Sequence, residues 1–455
     1  MLNLPKDYIE EIKSLIGEEN TKLYLDSLDA KVNSGIVIND KKVNDKILNE
    51  ILNEYDYLEK YKYKYYTYKK NDEHSIGKSM YHHMGLVYAQ EPSSYEVINN
   101  LDIKENFNFI DLCASPGGKS IDTILKQKNG FSILNEIDNK RVQALKSNIE
   151  RLGFSNTIIT NNKASDFVDL YNEYFDLVIV DAPCSGEGMF KKSETAIKNW
   201  SIDYVKYISS IQKEILDSAI KLVKPNGYLI YSTCTFSKYE DEENIDYIIK
   251  IENSFKIIKQ NKIFPHNSDG EGQFYCILKK VSVLQTESYE NSINRSNIKK
   301  EIPNLVSNIL NKYFINDNVF NGSFIIDKNK DINKLYFLSD SLYDEYIRTN
   351  SLNIKYKGLL IGEIDKNGFI PSNELAHSDF IKSYKYKIEI DKDNVLKYLK
   401  GEVININECI KGLNKDFDFS IKEYVVLTYN NIGVGIGKLV DKCIKNIYPK
   451  GLRNL

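Results

Sequence analysis

Apolar residues in the middle of the chain, from about residue 85 to residue 281, fall into short segments of strand length. These segments are FNFIDLC, FSILNEI, NTIITN, FDLVIVDAP and GYLIYSTCT, and longer stretches of helical pattern separate them. Continuous apolar strands that alternate with helices are typical of buried parallel strands joined by right-handed crossovers. The pattern therefore predicts an α/β fold with a doubly wound, mostly parallel sheet.

Helices are predicted between these strands at Ser120–Lys128, Asn139–Leu152, Ile202–Leu222 and Asp241–Ile251. After them, the segments FKIIK and GQFYCILKK predict a hairpin that adds antiparallel strands to one edge of the sheet. With this hairpin, the sheet is predicted to be complete by Val281.

The two flanks of this region have a different pattern. The N-terminal flank predicts helices around one strand-like segment, Ala30–Ile38, and the run of Tyr and Lys at Tyr55–Lys70 is predicted to be a helix with an aromatic stripe. The polar segment Gln285–Ile298 predicts a linker. We therefore expect a small N-terminal α+β domain at 1–84, a central domain at 85–283, a linker at 284–298 and two C-terminal α+β domains at 299–384 and 385–455.

Composition narrows the class of protein. No apolar stretch approaches the ~20 residues that cross a bilayer, and the acidic N-terminus lacks the features of a secretory signal. We expect a cytoplasmic protein with no membrane partner. Its 6 cysteines include no C-x-x-C pair, so no metal site is expected, and in the cytosol the thiols should be reduced.

Charge gives a weak indication of a nucleic-acid partner. The whole chain has 61 Lys and Arg against 64 Asp and Glu, which is no signature of nucleic-acid binding. Residues 381–455, however, contain 14 Lys and Arg against 9 Asp and Glu. This local basic excess permits a phosphate-binding face at the C-terminus.

The turn after the first predicted strand suggests a nucleotide-like ligand. It contains Gly117 and Gly118 and leads into a helix, but it matches neither G-x-G-x-x-G nor the phosphate-binding G-x-x-x-x-G-K-[ST]. Glu136 ends the second strand, about 20 positions after the glycine turn, which is where an acidic residue binds a ribose diol in dinucleotide-binding folds. A nucleoside ligand without a pyrophosphate is indicated, and S-adenosylmethionine fits this description.

Two cysteines follow neighbouring strands at the same predicted edge. The fourth strand ends in Asp181-Ala-Pro-Cys-Ser-Gly186, and the fifth in Ser232-Thr-Cys-Thr235. A thiolate that adds to carbon 6 of a cytosine makes carbon 5 nucleophilic enough to take a methyl group, and a second group must help to resolve the adduct. The pair Cys184 and Cys234 therefore indicates cytosine-5 methylation.

These motifs, D-A-P-C-S-G, S-T-C-T and D-L-C-A-S-P-G-G-K-S, resemble those of the Nol/Nop/Sun family of RNA cytosine-5 methyltransferases. Similarity continues in Gly85–Ser94, in Phe264–His266 and in Gly270–Gly272. The C-terminus, Lys445–Arg453, resembles the end of the PUA-like domain of small-subunit ribosomal RNA methyltransferases. The resemblance implies a Rossmann-like methyltransferase core with a PUA-like RNA-binding region.

The resemblance also implies roles for particular residues. Cys234 would be the nucleophile, Cys184 would aid release, and Asp181 would lie near the exocyclic amine of the cytosine. S-adenosyl-L-methionine would be held by Cys113, Ala114, Ser115, Pro116, Gly117, Gly118, Lys119, Glu136 and Asp181. Cys276, Cys409 and Cys443 are expected in the core, and His83 and His266 are expected to be structural.

RNA is the partner that the resemblance implies, with 16S ribosomal RNA as the substrate, transfer RNA as the alternative and a monomer as the acting form. Lys31 and Asn33 resemble an Arg-Val-Asn element that supports RNA binding in the family. Lys31 stands where the family usually has Arg, so the positive charge is kept but the bidentate hydrogen bonding of a guanidinium is lost. Either Asn162 or Asp166 would face the adenine, and the sequence leaves both open.

Three other classes compete with this interpretation. A DNA cytosine-5 methyltransferase has its nucleophile at the first Pro-Cys position and no Thr-Cys-Thr strand end, so no DNA partner is expected. An amino-group methyltransferase would have N-P-P-Y or D-P-P-Y where this chain has D-A-P-C. A non-catalytic RNA-binding scaffold has no need of the two cysteines and the glycine turn, all of which are intact here.

Overall fold

The computed structural model describes residues 2–30, 33–62, 64–69, 76–281, 304–315, 320–328, 332–406, 423–441 and 443–453. The predicted linker at 284–298, together with Lys31 and Cys409, lies outside the described residues. Within the described ranges, no helix has the length and apolar character needed to span a membrane.

The N-terminal part is a four-stranded antiparallel sheet with helices, in the strand order β2-β3-β1-β4. Helix α1 is broken by the non-helical backbone of Gly17. The bounds of the elements are α1 Lys6–Asp29, β1 Asn33–Ile38, α2 Asp45–Glu54, β2 Glu59–Lys62, β3 Tyr65–Lys69, α3 Met80–His83 and β4 Val87–Gln90.

The prediction of a helix at Tyr55–Lys70 is wrong, because this run forms the hairpin β2-β3. Tyr66 and Tyr68 pack in an apolar core beside Ile36, whereas the residues of β2 are exposed. Aromatic residues favour strands when such a surface is available to cover them. Among the described residues of the N-terminal flank there are accordingly three strands, not the single one expected, and β4 from the start of the predicted central domain completes the sheet.

Within the described residues, the central sheet has eight strands in the order β10-β11-β9-β8-β5-β6-β7-β14, where β14 is Ile354–Lys357. The five consecutive strands β9, β8, β5, β6 and β7 are parallel to one another. The predicted doubly wound sheet and its antiparallel hairpin are confirmed. The central elements are α4 Pro92–Asn99, β5 Phe109–Asp111, α5 Gly118–Lys126, β6 Ser132–Asn135, α6 Asn139–Leu152, β7 Thr157–Thr160, α7 Val168–Tyr171, β8 Phe175–Asp181, α8 Glu194–Asn199, α9 Ile202–Leu222, β9 Val223–Thr233, α10 Glu242–Ile251, β10 Phe255–Ile263 and β11 Gln273–Lys280.

The C-terminal part contains two further sheets, one with the order β12-β13-β15-β16 and one with the order β17-β19-β20-β21-β18. Its elements are α11 Asn304–Tyr313, β12 Gly322–Asp327, β13 Asn333–Ser339, α12 Asp340–Arg348, β14 Ile354–Lys357, β15 Leu359–Asp365, β16 Gly368–Pro371, α13 Asn373–His377, β17 Lys387–Glu389, α14 Lys392–Lys400, β18 Ile404–Asn405, β19 Tyr424–Tyr429, β20 Ile432–Val440 and β21 Cys443–Asn446.

The prediction that the central sheet is complete by Val281 is wrong. Strand β14 pairs antiparallel with β7 and forms the last strand of the sheet. Leu338 and Leu342, from β13 and α12, are buried in the core on one face of this sheet. A chain cut near Gln285 would lose these contacts and expose apolar surface.

The N-terminal and C-terminal parts also share one apolar core. Ile36 and Tyr81 pack in the same buried cluster as Val395 and Tyr398. Helix α1 packs on the central part, where Tyr8 contacts Trp200 edge-on at 5.3 Å between ring centroids. The flanking parts therefore form continuous cores with each other and with the central sheet.

Candidate active site

Four parallel strands end at one edge of the central sheet, and each is followed there by a residue that the sequence analysis singled out. Cys113 follows β5 and Glu136 follows β6, while Asp181 ends β8 and Cys234 follows β9. The carboxyl edge of a doubly wound sheet is where such folds bind ligands. The topology thus gathers these residues along the carboxyl edge of the sheet.

The loop after β5 is held from below by Asp111. Its carboxylate accepts hydrogen bonds from Ser120 Oγ at 2.6 Å and from the Cys113 backbone N at 3.1 Å. Burial raises the pKa of Asp111 to about 7. Gly117 turns the chain into α5 with a φ of +119°, a conformation that a side chain would strain. The loop therefore has a fixed shape with free backbone N–H groups at the start of α5.

Glu136 is buried at the end of β6, with 2% of its surface exposed. Its Oε1 accepts a hydrogen bond from the Asp138 backbone N at 2.9 Å. Its Oε2 lies 3.3 Å from Arg141 Nη1 but forms no hydrogen bond. A buried carboxylate oxygen that still lacks a hydrogen-bond donor is costly unless a ligand supplies one. The sequence analysis did not identify Arg141 as the ion-pair partner of Glu136.

The two candidates for the adenine side contact each other. Asn162 Nδ2 donates to Asp166 Oδ2 at 3.1 Å, and the same oxygen accepts from the Lys163 backbone N. Asp166 is exposed, whereas Asn162 is half-buried. Both residues thus belong to one small hydrogen-bonded turn after β7.

The two thiols are in contact. Cys184 Sγ lies 3.1 Å from Cys234 Sγ, and both residues are half-buried. The hydrogen bond with Cys234 and the loss of solvent raise the pKa of Cys184 well above its usual value. Cys184 is therefore a neutral thiol that can donate its proton toward Cys234.

A buried polar network fixes the loop that carries Cys184. Glu240 Oε2 accepts hydrogen bonds from the Ser185 backbone N and from Gln212 Nε2, both at 2.9 Å. Gln212 Nε2 also donates to the Pro183 carbonyl at 2.8 Å. Sequence analysis did not single out Glu240 or Gln212, and only the location of Glu240 shortly after Cys234 could have indicated it.

Asp181 is linked by an ion pair to α5, the helix that begins after the loop that follows β5. Its Oδ1 accepts from Ser232 Oγ at 2.8 Å, and its Oδ2 lies 2.9 Å from Lys119 Nζ. Lys119 is buried at 5% exposure and also donates to Ser94 Oγ at 3.1 Å. This ion pair fixes the Asp181 carboxylate against the first turn of α5, directly after the loop that follows β5.

The remaining candidates lie in other surroundings. Asn33 Nδ2 donates to Asp269 Oδ1 at 2.9 Å, which joins the N-terminal sheet to the central part. His83 is hydrogen-bonded to the Tyr448 hydroxyl at 2.8 Å. Cys276 is buried in β11, and Cys443 is half-buried in β21.

Three family models match the chain in order along its length. The N-terminal domain of 16S rRNA methyltransferase RsmF matches residues 4–92, 16S rRNA methyltransferase RsmB/F matches residues 98–279, and the methyltransferase RsmF PUA domain matches residues 385–454. The chain belongs to this methyltransferase family. It is an enzyme of ribosomal RNA methylation that uses S-adenosylmethionine.

Curated relatives agree with this assignment. The chain is 27% identical to ribosomal RNA small subunit methyltransferase F of Vibrio vulnificus over 83% of this chain and 81% of the relative. It is 26% identical to the protein of the same name in Shewanella woodyi, over 84% of this chain and 82% of the relative. Among solved structures, NSun6 from Pyrococcus horikoshii with SFG has a TM-score of 0.54 and 20% identity, with coverage of 61% and 98%, which shows a shared fold.

The residues at the carboxyl edge of the sheet fit S-adenosylmethionine. The second oxygen of Glu136 lacks a hydrogen-bond donor, and a ribose diol supplies one. Cys113 to Gly117 form the turn that leads into α5, and the backbone N–H groups of the first turn of α5 are available to a ligand. When bound, the cofactor supplies an electrophilic methyl group at this edge.

We expect Glu136→Ala to weaken binding of S-adenosylmethionine by about tenfold or more, because a charge-assisted hydrogen bond to a ribose hydroxyl is lost. Isothermal titration calorimetry measures this. Glu214→Ala, at an exposed position of α9, is the matched control and should retain wild-type affinity. Equal affinities in the two variants would make Glu136 a structural residue only.

Proposed function

We propose that this chain methylates carbon 5 of a cytosine in small-subunit ribosomal RNA through a covalent bond between Cys234 and carbon 6 of the base. The observation that carries the proposal is the contact of two thiols, 3.1 Å apart, at the ends of the adjacent parallel strands β8 and β9. They lie at the same sheet edge as the loop after β5.

The chemistry requires a nucleophile because carbon 5 of a neutral cytosine does not attack a methyl group at a useful rate. The Cys234 thiolate forms a bond to carbon 6, and the electron pair of the 5,6 double bond then becomes available at carbon 5 to take the methyl group. The proton on carbon 5 must then leave, and the bond between Sγ and carbon 6 breaks to restore the double bond and the free thiolate.

The contact between the thiols gives Cys184 a role in the second half of this sequence. The first cause of the raised pKa of Cys184 is its hydrogen bond with Cys234. Once the sulfur of Cys234 is bound to carbon, it no longer shares this hydrogen bond, and Cys184 can lose its proton to solvent. The Cys184 thiolate then accepts the carbon 5 proton, which is the step that allows Cys234 to be released.

Asp181 is proposed to hold the base. Its carboxylate lies at the end of β8, the strand that precedes Cys184, and the exocyclic amine of cytosine is a hydrogen-bond donor. The ion pair with Lys119 orients this carboxylate. A uracil, which has a carbonyl in place of the amine, would meet this carboxylate unfavourably, so the arrangement selects cytosine.

The substrate is proposed from the relatives and from the C-terminal part. The relatives are named small subunit methyltransferases, and the family model describes 16S rRNA. The PUA match at residues 385–454 lies where Lys and Arg exceed Asp and Glu. We assign this region, with Asn33 of the N-terminal sheet, to RNA binding.

The test is to incubate the purified protein with S-adenosylmethionine carrying a labelled methyl group and, separately, with 16S rRNA, small subunits and transfer RNA. Label in 16S rRNA, either free or within the subunit, with bisulfite-resistant cytosines at the labelled positions, is expected. Label in transfer RNA alone would overturn the substrate, and label on another base or atom would overturn the chemistry.

A further inference from the structure

Strand β14 reaches the central sheet from a stretch that lies between the two segments matched at residues 98–279 and 385–454. It runs antiparallel to β7, with Ile354 opposite Thr160. Because β7 ends at the edge that carries the cofactor loop, its antiparallel neighbour begins at that edge. Asn353, directly before β14, therefore lies beside the residues that follow β7.

Asn161 and Asn162 connect the end of β7 to the backbone around Glu136. Asn161 Nδ2 donates to the carbonyl oxygens of Glu136 and Ile137, both at 2.8 Å. The Asn162 backbone N donates to Asn135 Oδ1 at 3.0 Å, and its carbonyl accepts from Asn135 Nδ2 at 3.0 Å. Asn161 thus holds the backbone of Glu136 and Ile137, and Asn162 holds the side chain of Asn135, the residue before Glu136.

Asn353 holds both of them from the opposite side. Its backbone N donates to Asn162 Oδ1 at 2.9 Å, and its carbonyl accepts from the Asn161 backbone N at 3.0 Å. These bonds use the backbone of Asn353, whereas its side-chain amide makes only a long contact of 3.4 Å with Asn161 Oδ1. Water would replace the two backbone bonds if β14 were absent, and the turn after β7 would lose its fixed orientation.

We propose that Asn353 is a positioning residue for the cofactor pocket, so that affinity for S-adenosylmethionine depends on strand β14 of the C-terminal part. Asn353 acts through Asn161 and Asn162 on the backbone that presents Glu136. The inference rests on the proposed placement of the ribose at Glu136. It makes the pocket a composite of two regions that are distant in sequence.

Two substitutions at the same position test the proposal. Asn353→Pro removes the backbone donor to Asn162, and the extended backbone of Leu352, with φ −89° and ψ 159°, suits a residue before proline. Calorimetry should show a dissociation constant for S-adenosylmethionine about five- to tenfold higher, with KM for RNA unchanged. Asn353→Ala keeps both backbone bonds and should bind like the wild type.

Glu136→Ala is measured in parallel to separate the positioning role of Asn353 from the placement of the ribose at Glu136. Wild-type affinity in Asn353→Pro, with weakened binding in Glu136→Ala, would overturn the positioning role alone. Wild-type affinity in Glu136→Ala would overturn the placement of the ribose. Thermal melting identifies any variant that does not fold. If Asn353→Pro is one, Asn161→Ala removes the amide through which Asn353 acts on the backbone of Glu136 and Ile137 and must show the same loss of affinity for the proposal to stand.

Discussion

Cys234→Ala is expected to reduce methyl transfer to RNA by about a thousandfold or more, the scale seen when a covalent nucleophile is removed. The thiolate is the group that makes carbon 5 of the cytosine reactive, and the neighbouring thiol of Cys184 has a raised pKa. Affinity for S-adenosylmethionine should stay nearly unchanged, because Glu136 and the loop after β5 remain intact.

Transfer of a labelled methyl group and calorimetry of cofactor binding measure these two quantities on the same preparation. Cys276→Ala is the control, since this cysteine is buried in β11 and has no role in the proposed chemistry. The control should retain wild-type turnover. A Cys234→Ala protein that kept more than a few per cent of wild-type turnover would remove Cys234 from the role of nucleophile.

Cys184→Ala is expected to trap the reaction halfway. Cys234 can still attack carbon 6, but the group 3.1 Å away that helps the adduct to resolve is missing. Protein linked to RNA should therefore accumulate and survive denaturing electrophoresis, as a band that disappears after nuclease treatment. Turnover should fall strongly, because each molecule stops after its first methyl transfer.

The double variant Cys184→Ala with Cys234→Ala separates the roles of the two thiols. It should give no RNA-linked band, since the sulfur that forms the bond is absent. Accumulation of the band in Cys234→Ala, and its absence from Cys184→Ala, would mean that the roles are reversed. The contact between the sulfurs is symmetric, so this experiment and not the distance decides the order.

Much of the fold followed from local pattern. Apolar strands alternating with helices predicted the parallel sheet, and the observed α6 and α9 have the predicted bounds, Asn139–Leu152 and Ile202–Leu222. Parallel strands in one sheet have their carboxyl ends at the same edge. For this reason the sequence alone indicated that Glu136, Cys184 and Cys234 would lie at the same edge of the sheet.

Other features depend on partners distant in sequence, and only the tertiary structure decided them. The run at Tyr55–Lys70 became a hairpin because the apolar surface beside it can bury Tyr66 and Tyr68, and the local pattern does not show that surface. The pairing of β14 with β7 likewise has no local signal.

The same reason separates the residue types of the active site from its geometry. The sequence by itself determined the two cysteines, the glycine turn and the acidic strand end, because motif and strand position are local properties. The 3.1 Å between the sulfurs and the bonds from Glu240 that hold Ser185 depend on how β8, β9 and α9 pack. Packing arises from contacts across the whole chain, and so it was settled only in three dimensions.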